Sequence, residues 1–342
     1  NNRLGIDFNY YMRHTTNLLT LKSFENPVAG INNYWSNGGS MDNNGFEVTL
    51  TAKPVVSKDF NIEVGASVGH YTNKIKSLPN DDKIYLNGKK DAVGYTSSIY
   101  GTDNIATIVG QAAGSFYGYK TAGVFADDKE AAAAGKDGYL YLTDNTGAKQ
   151  YFRAGDMHFV DINGDGEISE ADKTIIGNPN PDIYGNIFAS IMWKNFTLSL
   201  GFNYSLGNDV FNYSRSILEG GNNFYNQTTA MTNRWRQEGQ QTDIPRISFD
   251  DAMGNSRFSD RWIEDGSYLR LKTLNLSYKV PVNSEWLQGL TIWAEASNLF
   301  TLTHYLGSDP EFSASNSVLY QGIDPGNIAL SRAFTFGLKI NL

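Results

Sequence analysis

The chain has no cysteine in its 342 residues, which removes disulfide staples, thiolate nucleophiles and Cys-based zinc sites together. It is also short of cationic charge. The 28 Lys and Arg stand against 36 Asp and Glu, for a formal charge of −8; no basic stripe faces phosphates, so nucleic acid is excluded as a partner. Histidine is sparse: His14, His70, His158 and His304 lie far apart. There is no HExxH, GxSxG or P-loop pattern, and Gly110, Gly114 and Gly118 are too widely spaced for a phosphate cradle. Carboxylate pairs such as Glu264 and Asp265 fall in loop sequence, where solvation is their ordinary role. No catalytic residue is assigned, and the chain is not read as an enzyme. No apolar run approaches the ~18 residues of a membrane helix, and the mean hydropathy is −0.39. A β-barrel escapes that test, because its lipid-facing residues alternate with polar ones and any averaging window sees both.

What the chain does have is glycine, with 34 residues, and aromatic side chains at 13%, a composition suited to strands and turns. Leu4, Ile6, Phe8, Tyr10 and Met12 alternate with Gly5, Asp7, Asn9 and Tyr11, the period of a strand with one oily face. The same period recurs at Phe46 to Ala52, Ile62 to Val68, Ile187 to Trp193 and Phe196 to Tyr204. It recurs again at Leu274 to Val280, Leu290 to Ala296 and Phe334 to Leu342. The strand before Val280 slips phase between Leu271 and Leu274, which predicts either a bulge or a strand that continues above the bilayer, where facing no longer matters. About eight strands result, each near the roughly 9 to 11 residues that cross a bilayer at a tilt.

Their connections alternate long and short. Residues 14–43, 76–182, 207–264 and 306–328 are read as long loops; Pro54–Phe60, Lys194–Asn195 and Pro281–Gly289 are read as turns. Outer-membrane barrels have long external loops and short periplasmic turns, whereas a soluble sandwich has no reason to keep that parity. Phe60, Trp193, Phe196 and Tyr278 collect beside the short turns, as an interfacial aromatic girdle would. The fold class is therefore all-β, a transmembrane antiparallel barrel. The other faces of the strands, with Asp7, Asn9, Glu47, Glu63, Asn203, Asn275 and Glu295, are too polar for a dry core and line a wet lumen. The absence of an initiator Met and of a signal-like segment before Asn1 leads us to expect a fragment.

The segment GDMHFVDINGDGEISEADKTIIGNPNPDIYGNIFASIMWKNFTLSLGFNYSLGNDVF, from Gly155 to Phe211, resembles the SusC/RagA family of TonB-linked outer-membrane receptors. NNRLGIDFNYYMRHTTNLL at the start, GSFYGYKTAGVF from Gly114, NRWRQEGQQTDIPR from Asn233 and WAEASNLFTLTHYLGSDPE from Trp293 carry the likeness along the chain. The resemblance implies the last eight strands of a 22-stranded, plugged barrel, with the plug and the TonB-contacting segment outside this chain. It further implies import of glycan oligomers or peptides together with a SusD-like surface lipoprotein. Leu342 departs from the terminal aromatic usual in such barrels. A passive porin or adhesin, and a secreted calcium-loop glycan-binding β protein, are the alternatives.

Two sets of residues are candidate sites. Asp161, Asn163, Asp165, Glu167 and Asp172, with Gly166 at the sharp turn, follow the spacing of an EF-hand-type loop for Ca2+ or Mg2+. Position 12 is Asp where Glu is usual, and no helix is predicted to enter the loop, so its expected role is to stiffen the longest loop. Tyr34, Trp35, Phe224, Tyr225, Trp235, Phe312 and Tyr320 lie in the long loops, where aromatic faces suit sugar rings or a protein lid.

Overall fold

We describe a computed structural model for all residues except 1–2, 24–32, 80–81, 102–103, 284–285, 312–313, 316 and 318–319. Eight antiparallel strands form one sheet: β1 (Leu4–Thr16), β2 (Ser40–Val56), β3 (Phe60–Ser77), β4 (Ile183–Trp193), β5 (Phe196–Leu206), β6 (Tyr268–Val280), β7 (Gly289–Thr303) and β8 (Ala333–Asn341). Each pairs with its neighbour in chain order, so the sheet is an unbroken meander from β1 to β8.

Register turns the alternation of each strand into a property of the whole sheet. Leu4, Ala52, Val64, Ala189, Leu200, Leu274, Ala296 and Phe334 stand side by side across all eight strands. One residue away, on the opposite face, run Gly5, Thr51, Gly65, Phe188, Gly201, Thr273, Ser297 and Ala333. The next rung on that face holds Asp7, Thr49, Ser67, Asn186, Asn203, Arg270 and Thr301. Because the side-chain period is two, a slip of one residue in any strand would put an amide or carboxylate among the apolar rungs.

The expected girdle is a single rung. Phe60 pairs with Trp193, Trp193 with Phe196, and Phe196 with Tyr278. The rings are in contact, with centroids 6.3 Å apart for Trp193 and Phe196 and 4.5 Å for Phe196 and Tyr278. They share the apolar face and lie beside the short turns, where an amphipathic ring spans the membrane interface.

The expected bulge is present too. Register shifts between Leu271 and Thr273, leaving Lys272 unpaired, and Asn298 on the facing strand adopts a φ of 54°, a conformation that asparagine tolerates. The extra residue restores phase: Leu269 and Leu271 return to the apolar face, and Arg270 is turned onto the polar one.

The long connections are less like loops than their sequences suggest. In residues 14–43, β1 and β2 stay paired up to Thr16 and Ser40, and Leu19–Ser23 pairs with Asn33–Asn37. Residues 78–182 contain a five-stranded sheet and two further strand pairs. The connection from β5 to β6 carries a helix, Tyr213–Glu219, and a strand, Asp209–Asn212, that pairs with Ile263–Asp265 and with Ile323–Asp324 of the last connection. The dry cores lie here and not in the wall. One gathers Tyr119, Phe125, Leu140, Phe152, Met157, Phe159 and Ile168; the other joins Ile105, Phe116, Phe211, Trp262 and Ile323 from three connections.

Leu200→Lys, on an apolar rung, is expected to destabilise the assembled barrel by about 2–4 kcal/mol. Ser199→Lys, one residue away on the polar face, should be tolerated. Heat-modifiability and denaturant melts of the two variants in bilayers measure the contrast.

Candidate functional site

The polar face is the candidate solute path, and the backbone decides its shape. Glycines occupy positions where an aromatic from the next strand lies flat on the sheet. A Cβ at Gly65 would meet the Phe188 ring at 2.3 Å, and one at Gly69 the Tyr184 ring at 2.5 Å. The rings are thereby pressed to the wall, leaving the space in front of it free. Between them the wall forms a groove of about 550 Å³ lined by Glu47, Thr49, Ser67, Tyr184, Asn186, Asn203, Ser205 and Tyr268. The Tyr184 hydroxyl donates to Glu47 Oε1 at 3.2 Å, and the Tyr71 ring meets Tyr184 edge-on at 5.9 Å. Hydroxyls, amides and one carboxylate in such a groove can exchange hydrogen bonds with a hydrated solute. Of the polar-face residues picked out by alternation, Glu47 and Asn203 line this groove.

Above the groove the outer cover is fastened by buried polar contacts. Asp156 is fully buried; its carboxylate takes both Arg246 Nε at 2.8 Å and Nη2 at 2.9 Å, the Asn255 amide at 2.9 Å and the Arg153 N–H. Asp260 accepts the N–H and hydroxyl of Thr121, and the Arg257 guanidinium lies over Tyr119 and Phe159. These contacts join segments about a hundred residues apart, and sequence spacing carried no sign of them.

The sequence-derived aromatics separate into different environments. Phe224 and Tyr225 stand in solvent, Phe224 89% exposed and in contact with the equally open Phe249. Trp235 is spent inside the cover, its indole N–H donating to Ala126 O at 2.9 Å and its ring lying against Gly155. Tyr320 packs on the core around Phe116 and Trp262. Tyr34 and Trp35 belong to the strand Asn33–Asn37, and Phe312 lies outside the described residues.

The candidate cation loop is closed by its own backbone. Asp161 accepts from Gly164 and Gly166 N–H, Asp165 from Glu167 N–H, and both oxygens of the buried Asp172 accept, from Ile162 and Ser169 N–H. Burial pushes the Asp172 carboxyl up, against the pull of those N–H groups. Gly164 and Gly166 supply the positive φ angles of the turn. Among the described residues, none of Asp161, Asp165, Glu167 or Asp172 is in an ion pair, and no three His, Asp or Glu side chains converge as a metal-binding set.

Removing the Asp156 carboxylate should loosen the cover while sparing the wall. Asp156→Ala leaves Arg246 and Asn255 without their shared acceptor; Arg246 is 39% exposed and regains water while the buried Asn255 does not, so the expected cost is about 1–3 kcal/mol. Protease should then cut within residues 78–182 of an otherwise assembled barrel.

No protein-family model matches the chain. It is 31% identical, over 99% of its length, to TonB-dependent receptor P3 of Formosa agariphila, and 27% identical over 99% to TonB-dependent receptor SusC of Bacteroides thetaiotaomicron. It covers 32% and 30% of those proteins, so it spans about a third of the length of the curated relatives it matches. Among solved structures, the RagAB peptide transporter superposes with a TM-score of 0.72 at 23% identity, covering 99% of this chain and 33% of that one. With the two-faced sheet, the girdle and the parity of its connections, the chain is similar along its whole length to about a third of the SusC-like TonB-dependent receptors, and its sheet has the fold of the β-barrel proteins of the outer membrane.

Proposed function

We propose that this chain supplies part of the wall and outer cover of an importer that moves oligosaccharides or peptides across the outer membrane. A SusD-like surface lipoprotein hands over the solute, and TonB supplies energy through parts of the receptor outside this chain. One observation carries the reading: a sheet with an apolar rung from Leu4 to Phe334 on one face and the rung of Asp7, Thr49, Ser67, Asn186 and Asn203 on the other, with a groove of about 550 Å³ on that second side. Lipid covers the first face, and the solute passes the second. The exposed Phe224 and Tyr225 suit contact with the lipoprotein, since aromatic side chains are enriched at protein interfaces. No residue of the chain is given a catalytic role.

Asn203→Trp, which fills the groove without touching the lipid face, should lower uptake of oligosaccharide or oligopeptide by about tenfold or more while assembly is kept. Uptake by cells expressing the whole receptor, with and without an uncoupler, is the measurement. Transport that survives the uncoupler would favour a passive porin.

The 161–172 loop takes a Ca2+ or Mg2+ ion that braces the cover, held by Asp161, Asn163, Asp165, Glu167 and Asp172. Their spacing and the four carboxylates outside any described ion pair support this. The N–H groups that now hold them are the competitor. Calcium at a hundred times its Kd should stabilise the cover by about 2.7 kcal/mol, and Asp161→Asn should remove the effect. A cover that melts identically in calcium and in chelator would overturn the assignment.

A further inference from the structure

Of the last outer connection, Asp309, Pro310 and Glu311 lie against the polar face. The bulge at Lys272 places Arg270 on that face, in the rung with Asn186 and Asn203. The Arg270 guanidinium is 2% exposed; it donates to Asp309 Oδ1 at 2.5 Å, and Glu311 Oε2 lies 3.0 Å from its Nε, out of hydrogen-bond alignment. Pro310 and Glu311 enclose, with Ser205 and Tyr268 of the wall, a cavity of about 250 Å³. Ser205 and Tyr268 also line the groove of about 550 Å³, so the segment roofs the outer end of the solute path.

We propose that residues 308–311 are a movable strap across the outer end of this groove, and that Arg270 is the latch that holds it down. Its purpose rests on the import reading; its geometry does not. A single carboxylate gathers both arms of the connection, because Asp309 also accepts from Glu311 N–H at 2.9 Å and Leu330 N–H at 3.1 Å. Arg270 therefore reaches both arms through Asp309, and a second wall residue, Lys272, lies 3.6 Å from Glu311 Oε1 at the surface. Burial pushes the Asp309 carboxyl up, but Arg270 and those two N–H groups outweigh it and hold it below the ordinary range, so the latch stays charged. The root of the connection is fastened separately, by Tyr305 to Asp324 and by Leu306 N–H to Glu264, and stays fixed when the strap lifts.

A buried ion pair is a poor device for stability alone, since packed apolar residues of like volume do as well or better. It suits a contact that must open, because both ions regain water once parted. That chemistry separates a latch from a rivet.

The chain has no cysteine, so Ser205→Cys places a single thiol in it, under the strap. In the whole receptor on living cells, labelling of this thiol by a membrane-impermeant maleimide should be slow. Arg270→Gln should speed it by about tenfold or more, as the open population grows. Asp309→Asn, which frees the strap without altering the wall, should do the same and decides the matter if Arg270→Gln does not assemble. Asn145→Cys, exposed in the cover and outside the strap, should label equally in every background. Unchanged Ser205→Cys labelling in an assembled latch variant would show that the pair only supports the fold. Latch-dependent labelling in a receptor that takes up no solute would instead count against the import reading and leave the strap standing.

Discussion

The structure depends on one constraint: in hydrocarbon every backbone N–H and C=O must find a partner within the protein, and only side chains are free to meet lipid. A meander in which each strand bonds its sequence neighbour meets the first demand along the interior of the sheet. Strict alternation meets the second. Once both hold, the polar residues have a single place to go, the inner face, and the rung of Asp7, Thr49, Ser67, Asn186 and Asn203 follows from the rung of Leu4, Ala52, Val64, Ala189 and Leu200. The polar face is thus the necessary complement of the lipid face.

A wall that places its apolar side chains outward has none left for an inner core, so the chain's dry packing must lie elsewhere. It lies in the connections. Phe116, Phe211, Trp262 and Ile323 come from three of them and close on one another, and Asp156 with Arg246 and Asn255 ties the remainder. A cover with its own core can hold its shape above the membrane while the wall beneath responds to lipid alone. This is why loss of a carboxylate in the cover and gain of a lysine in the wall are expected to act separately.

The wall was legible in the sequence because its determinants are local. Phase along one strand names the face, and the slip between Leu271 and Leu274 named the bulge before any partner strand was known. The cover was not legible, because all but one of its strands are two to five residues long and owe their conformation to distant contacts. Trp235 and Phe224 are alike as loop aromatics, yet one donates to Ala126 O and packs on Gly155 while the other stands in solvent. Residue type cannot separate them; partners over a hundred residues away do. Nor could alternation reveal that Phe188 and Tyr184 lie on Gly65 and Gly69, since that requires the register between strands.

The bulge at Lys272 shows how a local irregularity acquires a functional consequence. Without the extra residue, strict alternation from Leu274 would carry Arg270 to the lipid face, where a charge is strongly disfavoured. With it, Leu269 and Leu271 keep that face apolar and the guanidinium turns inward, to meet a carboxylate 39 residues further along the chain. Having been placed inside, the arginine must be paired, because an isolated buried ion is costlier than any strain at the bulge. Asp309 and Glu311 meet that need by drawing the last connection across the groove. The same phase correction that keeps the lipid face apolar therefore leaves a charge on the polar face, where its partner is a carboxylate of the last connection.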